Sequence, residues 1–450
     1  MPRRYWAVAT IVLAISMSGL DSSIANVALP SIARDFRTSE AASIWVVNAY
    51  QLAILISLLP LAALGEVVGY RRVSQSGLAV FTLGSLACAF APSLLTLTIA
   101  RMVQGLGAGC IMSVNPALVR HTYPHNLLGR AVGINAFAVA TSAAVGPTVA
   151  SAVLAVAHWR WLFGINVPIG VIAMAIAGFA LPESERAARR LNVASAALHV
   201  GTFALLIGGL QALAHHAATS AALAQIAAGC VLAIVLARHE LGRPAPLIPF
   251  DLLRGRLFSL SLATSVCSFT AQMAALVCLP FAIQRLGHSP VETGLLMTPW
   301  PVAVALAAPL AGHLADRYPA GILGGLGLTT LAIGLALLAA FPAGGHVADF
   351  VWRMALCGLG FGFFQSPNNR TLLTSAPRAR SGAAGGMLAT ARLFGQTLGA
   401  AGVAVLFRAF PGEAPTLALS AAALMSLAAA TLSLARLGTP AQPESLRGRS

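Results

Sequence analysis

The chain contains no lysine and few charged residues of either sign. All 28 basic residues are arginine, 13 residues are acidic, and charged residues make up 9% of the 450. Because a soluble domain carries about 25% charged residues, this composition excludes an ordinary soluble protein. Arginine keeps its proton in proteins, so acids and histidines are left as candidate proton carriers.

Several kinds of site are also missing from the sequence. The six cysteines all lie in apolar stretches, without the spacing of a zinc site or a disulfide framework. The absence of a GxxxxGK[ST] loop argues against ATP-driven transport. His121 and His125 are four residues apart, but Pro124 lies between them and opposes a shared helical face. We therefore predict no metal and no cofactor.

Long apolar stretches make up most of the chain, with 58% hydrophobic residues and a mean hydropathy of +0.81. A membrane-spanning helix needs roughly 20 mostly apolar residues. The sequence therefore predicts an all-α polytopic membrane protein with fourteen spans and little room for a soluble domain. These spans lie at about 5–30, 44–66, 73–91, 94–118, 130–156, 161–181, 193–213, 220–237, 257–284, 293–314, 320–341, 348–371, 383–408 and 415–436.

Arginine is distributed unevenly between the two ends of these spans. With a cytoplasmic N-terminus, 20 arginines fall on the inner side, 5 on the outer side and 3 within spans. This is the positive-inside pattern, so both termini are predicted to be cytoplasmic. The net charge of +15 then reflects orientation in the lipid bilayer, and nucleic-acid binding is not expected.

Two short patterns occur twice, which indicates a duplication. Glu66 precedes Arg101 by 35 residues and Asp316 precedes Arg353 by 37, and a glycine-rich segment follows each arginine. Parallel six-helix repeats around a midplane site are one way in which transporters are built. The predicted domains are a six-helix bundle at 1–190, two inserted helices with a cytoplasmic amphipathic connector at 191–256, and a six-helix bundle with a short tail at 257–450.

One acid, Asp21, lies deep inside the first apolar stretch. Burying a carboxylate in hydrocarbon is costly, so an intramembrane acid is first interpreted as functional. Asp21 and Arg101 lie about 18 Å and about 10 Å from the outer ends of their spans, so their side chains could meet. We predict that both act in proton coupling, with a static pair that fixes helix packing as the alternative. His199, in an inserted span, is expected to pack.

Five motifs carry a resemblance to a known family. They are LDSSIANVALPSIARDF from Leu20, GEVVGYRRV from Gly65, RMVQGLGAG from Arg101, SAAVGPTVAS from Ser142, and the stretch from Ser366 to Ala400. Together they resemble the major facilitator superfamily in its fourteen-span drug:proton antiporter branch, and the last stretch resembles exporters of quaternary ammonium and viologen-type cations. The resemblance implies two six-helix bundles plus two inserted helices.

The resemblance also implies roles for two groups of residues. Acid–arginine clusters on the inner side are expected to form a cytoplasmic gate, with topology-determining charges as the alternative. The gate residues are Glu66, Gly69, Arg71, Arg72, Asp316 and Arg317. Gly146 and Pro147 form the antiporter motif, which is implied to act as a hinge and leak barrier.

Polar and aromatic residues within the spans are candidates to line a substrate cavity. Aromatic faces attract organic cations through cation–π interactions. The candidates are Asn26, Trp45, Asn48, Tyr50, Gln51, Gln272, Trp300, Gln365 and Asn368.

These features predict a secondary active exporter of hydrophobic, cationic drugs or biocides in exchange for protons, with drug and proton competing for Asp21. The protein is expected to act as a monomer in the bacterial inner membrane. It is not expected to be an enzyme, because an intramembrane enzyme needs several clustered polar groups at one depth. A proton-coupled exporter of an endogenous metabolite, such as an amino acid or siderophore, stays open as the alternative.

Overall fold

The computed structural model describes residues 3–123, 128–183, 192–214, 219–241, 243, 246–342, 344–376 and 380–438. Its regular structure is helical. The helices are α1 (Arg3–Asp35), α2 (Glu40–Ser43), α3 (Trp45–Val68), α4 (Tyr70–Ala89), α5 (Leu94–Thr122), α6 (Leu128–Val156), α7 (Trp161–Gly164), α8 (Asn166–Ala180), α9 (Val193–Ala214), α10 (Thr219–Glu240), α11 (Arg256–Arg285), α12 (Pro290–Met297), α13 (Pro299–Leu314), α14 (Ala320–Ala339), α15 (Val347–Thr374), α16 (Ser381–Ala409) and α17 (Ala414–Ala435). Short 3₁₀ helices at Phe250–Arg254 and Arg436–Gly438 precede α11 and follow α17.

Within the described residues, 12 helical segments are long and apolar enough to cross a membrane by length and composition. The predicted all-α membrane architecture is confirmed, but the predicted count of fourteen spans is not supported. The difference falls at the predicted spans 73–91 and 130–156, which overlie α4 and α6. α4 begins with the polar sequence Tyr-Arg-Arg. In the part of α6 whose side chains are described, Ala144–Val156 forms a shorter apolar stretch.

The packing of helices repeats along the chain. α3 and α4 both pack on α5, and α13 and α14 both pack on α15. In the same way α1 packs against α6, and α11 packs against α16. α9 and α10 pack on each other, and α9 also contacts α3 and α16. The boundaries of the three predicted domains stay a prediction.

Glycines allow the closest of these contacts. A Cβ on Gly105 of α5 would lie 2.6 Å from the carbonyl oxygen of Tyr50 in α3, and one on Gly358 of α15 would collide with the carbonyl oxygen of Trp300 in α13. Small residues let membrane helices approach closely and pack by van der Waals contact. The approach of α5 to α3 positions Arg101 beside the backbone of α3.

The connector before α11 packs against the second half of the chain. Ile248 and Leu252 are buried in an apolar cluster with Phe258 and Leu372. Asp251 lies 3.0 Å from Arg380. The apolar side chains of this described part of the connector therefore face protein, while its placement on the inner membrane surface stays a prediction.

Candidate functional site

Asp21 lies at the centre of a fully buried polar network in the first half of the chain. Its side chain has no exposed surface. The Oδ2 atom accepts a hydrogen bond of 2.5 Å from Nη1 of Arg101. The Oδ1 atom accepts bonds of 2.8 Å from Nε2 of Gln104 and 2.8 Å from Nδ2 of Asn166. The carboxylate thus joins α1 to α5 and α8.

Arg101 is equally buried, with no exposed surface. Its Nε donates to the carbonyl oxygen of Val46 at 3.1 Å, and its Nη1 also donates to Oε1 of Gln104 at 2.6 Å. The guanidinium carbon lies 4.1 Å from the centroid of the Tyr50 ring and 5.3 Å from that of Phe163. These contacts combine hydrogen bonds, charge and cation–π attraction, so the structure brings the two residues of the predicted pair together.

Gln104 links the ion pair to α4. It follows Arg101 by one helical turn, and its Nε2 donates to Oγ of Ser85 at 2.7 Å as well as to Asp21. The sequence analysis did not identify Gln104, Asn166 or Ser85. The i,i+3 spacing of Gln104 from Arg101 was a usable signal, because residues at that spacing share a helix face.

This arrangement makes the charge of Asp21 consequential for helix packing. Removing one partner of a buried ion pair leaves an uncompensated charge and costs about 3–5 kcal/mol. Nη2 of Arg101 is buried without a hydrogen-bond partner, so the remaining donors of Arg101 cannot replace a lost Asp21 without movement. The network can therefore convert the loss of one negative charge into a change in the packing of α1, α5 and α8.

Among the gate residues of the first half, Arg71 forms its described contacts within that half. Gly69 separates α3 from α4 with φ of 107°, a conformation that favours glycine. Arg71 lies 3.5 Å from Glu183 and donates to the carbonyl oxygen of Gly178 at 2.5 Å. Arg71 therefore contacts two residues, Glu183 and Gly178, that are not among the predicted gate residues. Arg71 lies at the start of α4 and reaches the carbonyl end of α8, where free helix carbonyls accept hydrogen bonds. Arg72 is exposed and Glu66 is half-buried.

The gate residues of the second half likewise remain within their half. Asp316 pairs with Arg370 of α15 and not with its neighbour Arg317, which is exposed. Arg370 lies near the C-terminal end of α15, next to the turn that carries Asp316, so a long guanidinium side chain reaches it. A gate role for these residues stays a prediction.

Polar contacts between the two halves lie at the predicted outer end. They join α1, α2 and α6 of the first half to α11, α12 and the residue between α12 and α13 in the second. The pairs are Arg34 with Gln284 at 2.9 Å, Glu40 with Arg285, Thr148 with Thr298 at 3.0 Å, and Ser151 with the carbonyl of Val291 at 2.8 Å. This end of the molecule is therefore held closed.

The antiporter motif lies at the same junction. α6 continues through Pro147 without interruption. A Cβ on Gly146 would collide with Ser23 of α1, and a Cβ on Gly294 of α12 would lie 2.6 Å from the Pro147 carbonyl oxygen. The motif therefore packs tightly on both halves, which fits the predicted leak barrier, whereas its hinge role stays a prediction.

The cavity candidates fall into two groups. Tyr50 stacks on Arg101, and Asn368 accepts from Arg436 at 2.7 Å and donates to Ser265 at 2.8 Å. Each of these two residues therefore belongs to a polar network inside its own half, and their place in a substrate cavity stays a prediction. Gln51 of α3 also bonds within the first half, because it donates to Ser22 of α1 at 3.3 Å.

The other candidates are distinguished by burial. Asn26, Asn48 and Trp300 are buried, and each has a side-chain polar atom without a hydrogen-bond partner. Trp45, Gln272 and Gln365 are half-buried. His199 contacts the Leu55 carbonyl oxygen at 3.3 Å, in keeping with a packing role.

No metal site is indicated where the chain is described. Among those residues, no group of three or more His, Cys, Asp or Glu side chains is placed to hold a metal ion. His121 lies in α5, and its predicted neighbour His125 falls outside the described residues.

Related proteins are transporters by their descriptions. The chain is 52% identical to the uncharacterized transporter YebQ of Escherichia coli (strain K12), over 98% of this chain and 97% of YebQ. It is 30% identical to the riboflavin transporter RibZ of Clostridioides difficile (strain 630), over 89% of this chain and 87% of RibZ. It is 32% identical to the multidrug resistance protein Stp of Mycobacterium tuberculosis (strain CDC 1551 / Oshkosh), over 86% of this chain and 73% of Stp.

The fold has a solved counterpart. A crystal structure of a D-xylose–proton symporter matches with a TM-score of 0.70 and 16% identity, over 95% of this chain and 97% of the symporter. At that identity the match shows the fold alone. The sequence model of the Major Facilitator Superfamily matches residues 11–400 of the chain. With these matches, the helical membrane architecture and the YebQ relationship, the chain belongs to the Major Facilitator Superfamily of membrane transporters.

Proposed function

We propose that this protein is a secondary active exporter that moves hydrophobic organic compounds out of the cell in exchange for protons, by alternating access. Asp21 carries the proton. The observation that supports this most strongly is the buried network in which Asp21 bonds to Arg101, Gln104 and Asn166. Counting all thirteen acids in the sequence, Asp21 alone lies near the middle of a predicted span.

The coupling step follows from the charge of this network. Ionised Asp21 holds Arg101 and so fastens α1 to α5. A proton on Asp21 removes the negative charge and occupies a lone pair of one oxygen, so Arg101 loses its counter-ion and the packing of α1 against α5 weakens. The bundle then has two arrangements, one for each protonation state, and the proton gradient drives the exchange between them.

Competition between substrate and proton for the same carboxylate is less well supported. The resemblance implies organic cations, for which Asp21 was the predicted counter-ion. Asp21 has no exposed surface and three side-chain donors occupy its oxygens, so it offers a substrate no free oxygen in this conformation. We therefore propose indirect coupling, in which the proton acts on helix packing and the substrate binds elsewhere.

The arrangement in the membrane completes the proposal. α4 and α6 join the 12 apolar segments to give fourteen spans, because each packs within the first bundle, on α5 and on α1 respectively. The arginine distribution places both termini in the cytoplasm of a bacterial cell. The closed end is then the outer end, and the gate clusters lie on the inner side.

A second candidate function is the export of an endogenous metabolite with drugs as incidental cargo. The relationship to RibZ, described as a riboflavin transporter, supports a metabolite, whereas the relationship to Stp, described as a multidrug resistance protein, supports drugs. The proton-coupling machinery is the same in both cases.

The test is efflux from proteoliposomes under an imposed pH gradient. Wild type is expected to expel members of a panel of cationic, neutral and anionic fluorescent dyes in response to the gradient. Asp21→Asn keeps the side-chain size but cannot carry the proton, so its efflux should no longer respond to the gradient. Asp349→Asn, which changes an exposed acid at the start of α15, is the matched control and should behave as wild type. Gradient-driven efflux by Asp21→Asn at the wild-type rate would contradict the proposal.

A further inference from the structure

Arg392 lies in the middle of α16 without a counter-ion. It follows the first residue of the helix by eleven positions, which is about 16 Å along the axis. The side chain is half-buried, and its buried Nε has no hydrogen-bond partner. The ion pairs found among the described residues do not include it. Asp21, the acid of the chain near mid-span, is already bound by Arg101.

The contacts of α16 place Arg392 on a face that lies between the contacts of α16 with α11 and α3, on the same side as Gly385, which lies 4.0 Å from Leu373 of α15. Gly395 and Gly399 pack against α11, and Gly386 packs against Leu59 of α3. Phe394 packs on α9, with ring centroids 5.6 Å apart. Each residue advances by about 100° around a helix, so Arg392 falls between the α11 and α3 sides and away from α9.

Two amide side chains share this region. Gln396 follows Arg392 by four residues and so lies on the same face of α16. From the Leu59–Gly386 contact and the opposite directions of α3 and α16, Gln51 lies within about 3 Å of the depth of Arg392. Gln51 is 2% exposed and donates to Ser22 of α1. An unpaired guanidinium with an amide side chain on the same helix face, and a second amide at a similar depth on α3, has the donor composition of an anion site.

We propose that Arg392 receives the acidic group of the transported substrate, so that the exported compounds are amphipathic organic anions, of which carboxylates are the simplest. The guanidinium fork matches a carboxylate, sulfonate or phosphate through two parallel hydrogen bonds. The charges of Asp21 and Arg101 cancel, which leaves the positive charge of Arg392 at this depth. An organic cation would meet repulsion there. This inference rests on the proposed exporter function and names its substrate class.

The sign of the substrate changes the electrical balance of transport. One proton moving in while one monovalent cation moves out transfers no net charge. One proton moving in while one monovalent anion moves out transfers two charges inward. Export of an anion therefore responds to membrane potential as well as to the pH gradient.

Binding of three matched probes to the purified, detergent-solubilised protein tests the inference at one pH and without a gradient. Dansyl-alanine is an anion, dansyl-alaninamide is neutral, and dansylcadaverine is a cation. Wild type should bind the anion about tenfold more tightly than either other probe, as expected for a charge-assisted hydrogen bond. Arg392→Gln should lose that preference, and Arg392→Lys should keep only part of it, because the charge remains but the two parallel hydrogen bonds of the guanidinium fork are lost.

The matched control is Arg353→Gln. Arg353 is also a partly buried arginine within a span, but it donates to the Leu337 carbonyl oxygen at 2.8 Å and stacks on Phe341 at 5.1 Å. Its loss should leave the preference for the anion intact. Should Arg392→Gln fail to fold, the wild-type comparison of the three probes still decides.

Equal or tighter binding of the neutral or cationic probe by wild type would overturn the inference, as would failure to bind dansyl-alanine. Retention of the anion preference by folded Arg392→Gln would also overturn it. The proposed function is tested separately, because probe binding requires no proton movement and the Asp21→Asn efflux experiment requires no particular substrate charge.

Discussion

At the scale of the residue, Asp21 and Arg101 form the buried ion pair at the centre of the polar network. Each is fully buried, and their direct contact is supported by Gln104 and Asn166. Such pairs are sensitive to the loss of one member, since the survivor keeps its charge without a partner. The sequence identified Asp21 and Arg101 because a charge within an apolar span is conspicuous. It did not identify Asn166 or Ser85, because isolated small polar residues are common in membrane helices and only three-dimensional proximity distinguishes them.

Removal of Arg101 alone should therefore lower the stability of the folded protein more than removal of both charges. Arg101→Met is expected to destabilise the folded protein by about 3–5 kcal/mol, because Asp21 keeps a buried charge. The double variant Asp21→Leu/Arg101→Met should recover a large part of that loss. Thermal unfolding of the purified variants in detergent measures both, and equal stability of the single and double variants would argue against a charged, buried Asp21.

At the scale of the element, close helix contacts at glycines hold the site in register. Gly105 brings α5 against the backbone of α3, one turn from Arg101. The glycine-rich segment that follows Arg101 in the sequence carries this contact, since Gly105 and Gly109 lie four residues apart on one helix face. The predicted span at α4 is not among the 12 segments supported by length and composition, because polar residues at the start of α4 reduce its hydropathy even though a helix forms there. Helix propensity and packing determine that α4 is a helix, whereas its hydropathy determines whether it is recognised as a membrane span.

Gly105→Ala tests the close approach of α5 and α3. The added methyl would lie 2.6 Å from the Tyr50 carbonyl oxygen, so the helices must separate, at a cost of about 1–3 kcal/mol. Gly178→Ala is the control, because nothing lies within 4 Å of its Cβ position. A lowered midpoint of thermal unfolding is expected for Gly105→Ala alone, and an unchanged midpoint would show that α5 has room to spare.

At the scale of the whole molecule, the described polar contacts between the two halves lie at one end. Arg34 bonds to Gln284 and Thr148 to Thr298, whereas the described pairs of Arg71 and Asp316 stay within one half. The sequence predicted the gate residues from their motif but not the state of the gate. Which end is closed depends on a balance between conformations, and that balance leaves no local pattern in the chain.

Locking the closed end should stop transport reversibly. The hydroxyl oxygens of Thr148 and Thr298 are 3.0 Å apart, so cysteines at both positions are close enough to form a disulfide. Oxidation of Thr148→Cys/Thr298→Cys in vesicles should abolish substrate flux, and dithiothreitol should restore it. Each single cysteine variant should be unaffected by the oxidant. Undiminished flux after complete cross-linking would mean that this end need not open.

The proton flux that accompanies substrate movement tests the central claim most directly. Proteoliposomes enclosing a pH-sensitive dye receive substrate from outside, and the lumenal pH is recorded together with substrate exchange. Wild type should release protons from the lumen as substrate enters, so the lumenal pH rises. Folded Asp21→Asn should leave the lumenal pH unchanged when substrate is added. A rise in lumenal pH as large as that of wild type from folded Asp21→Asn would contradict the assignment of Asp21 as the proton carrier.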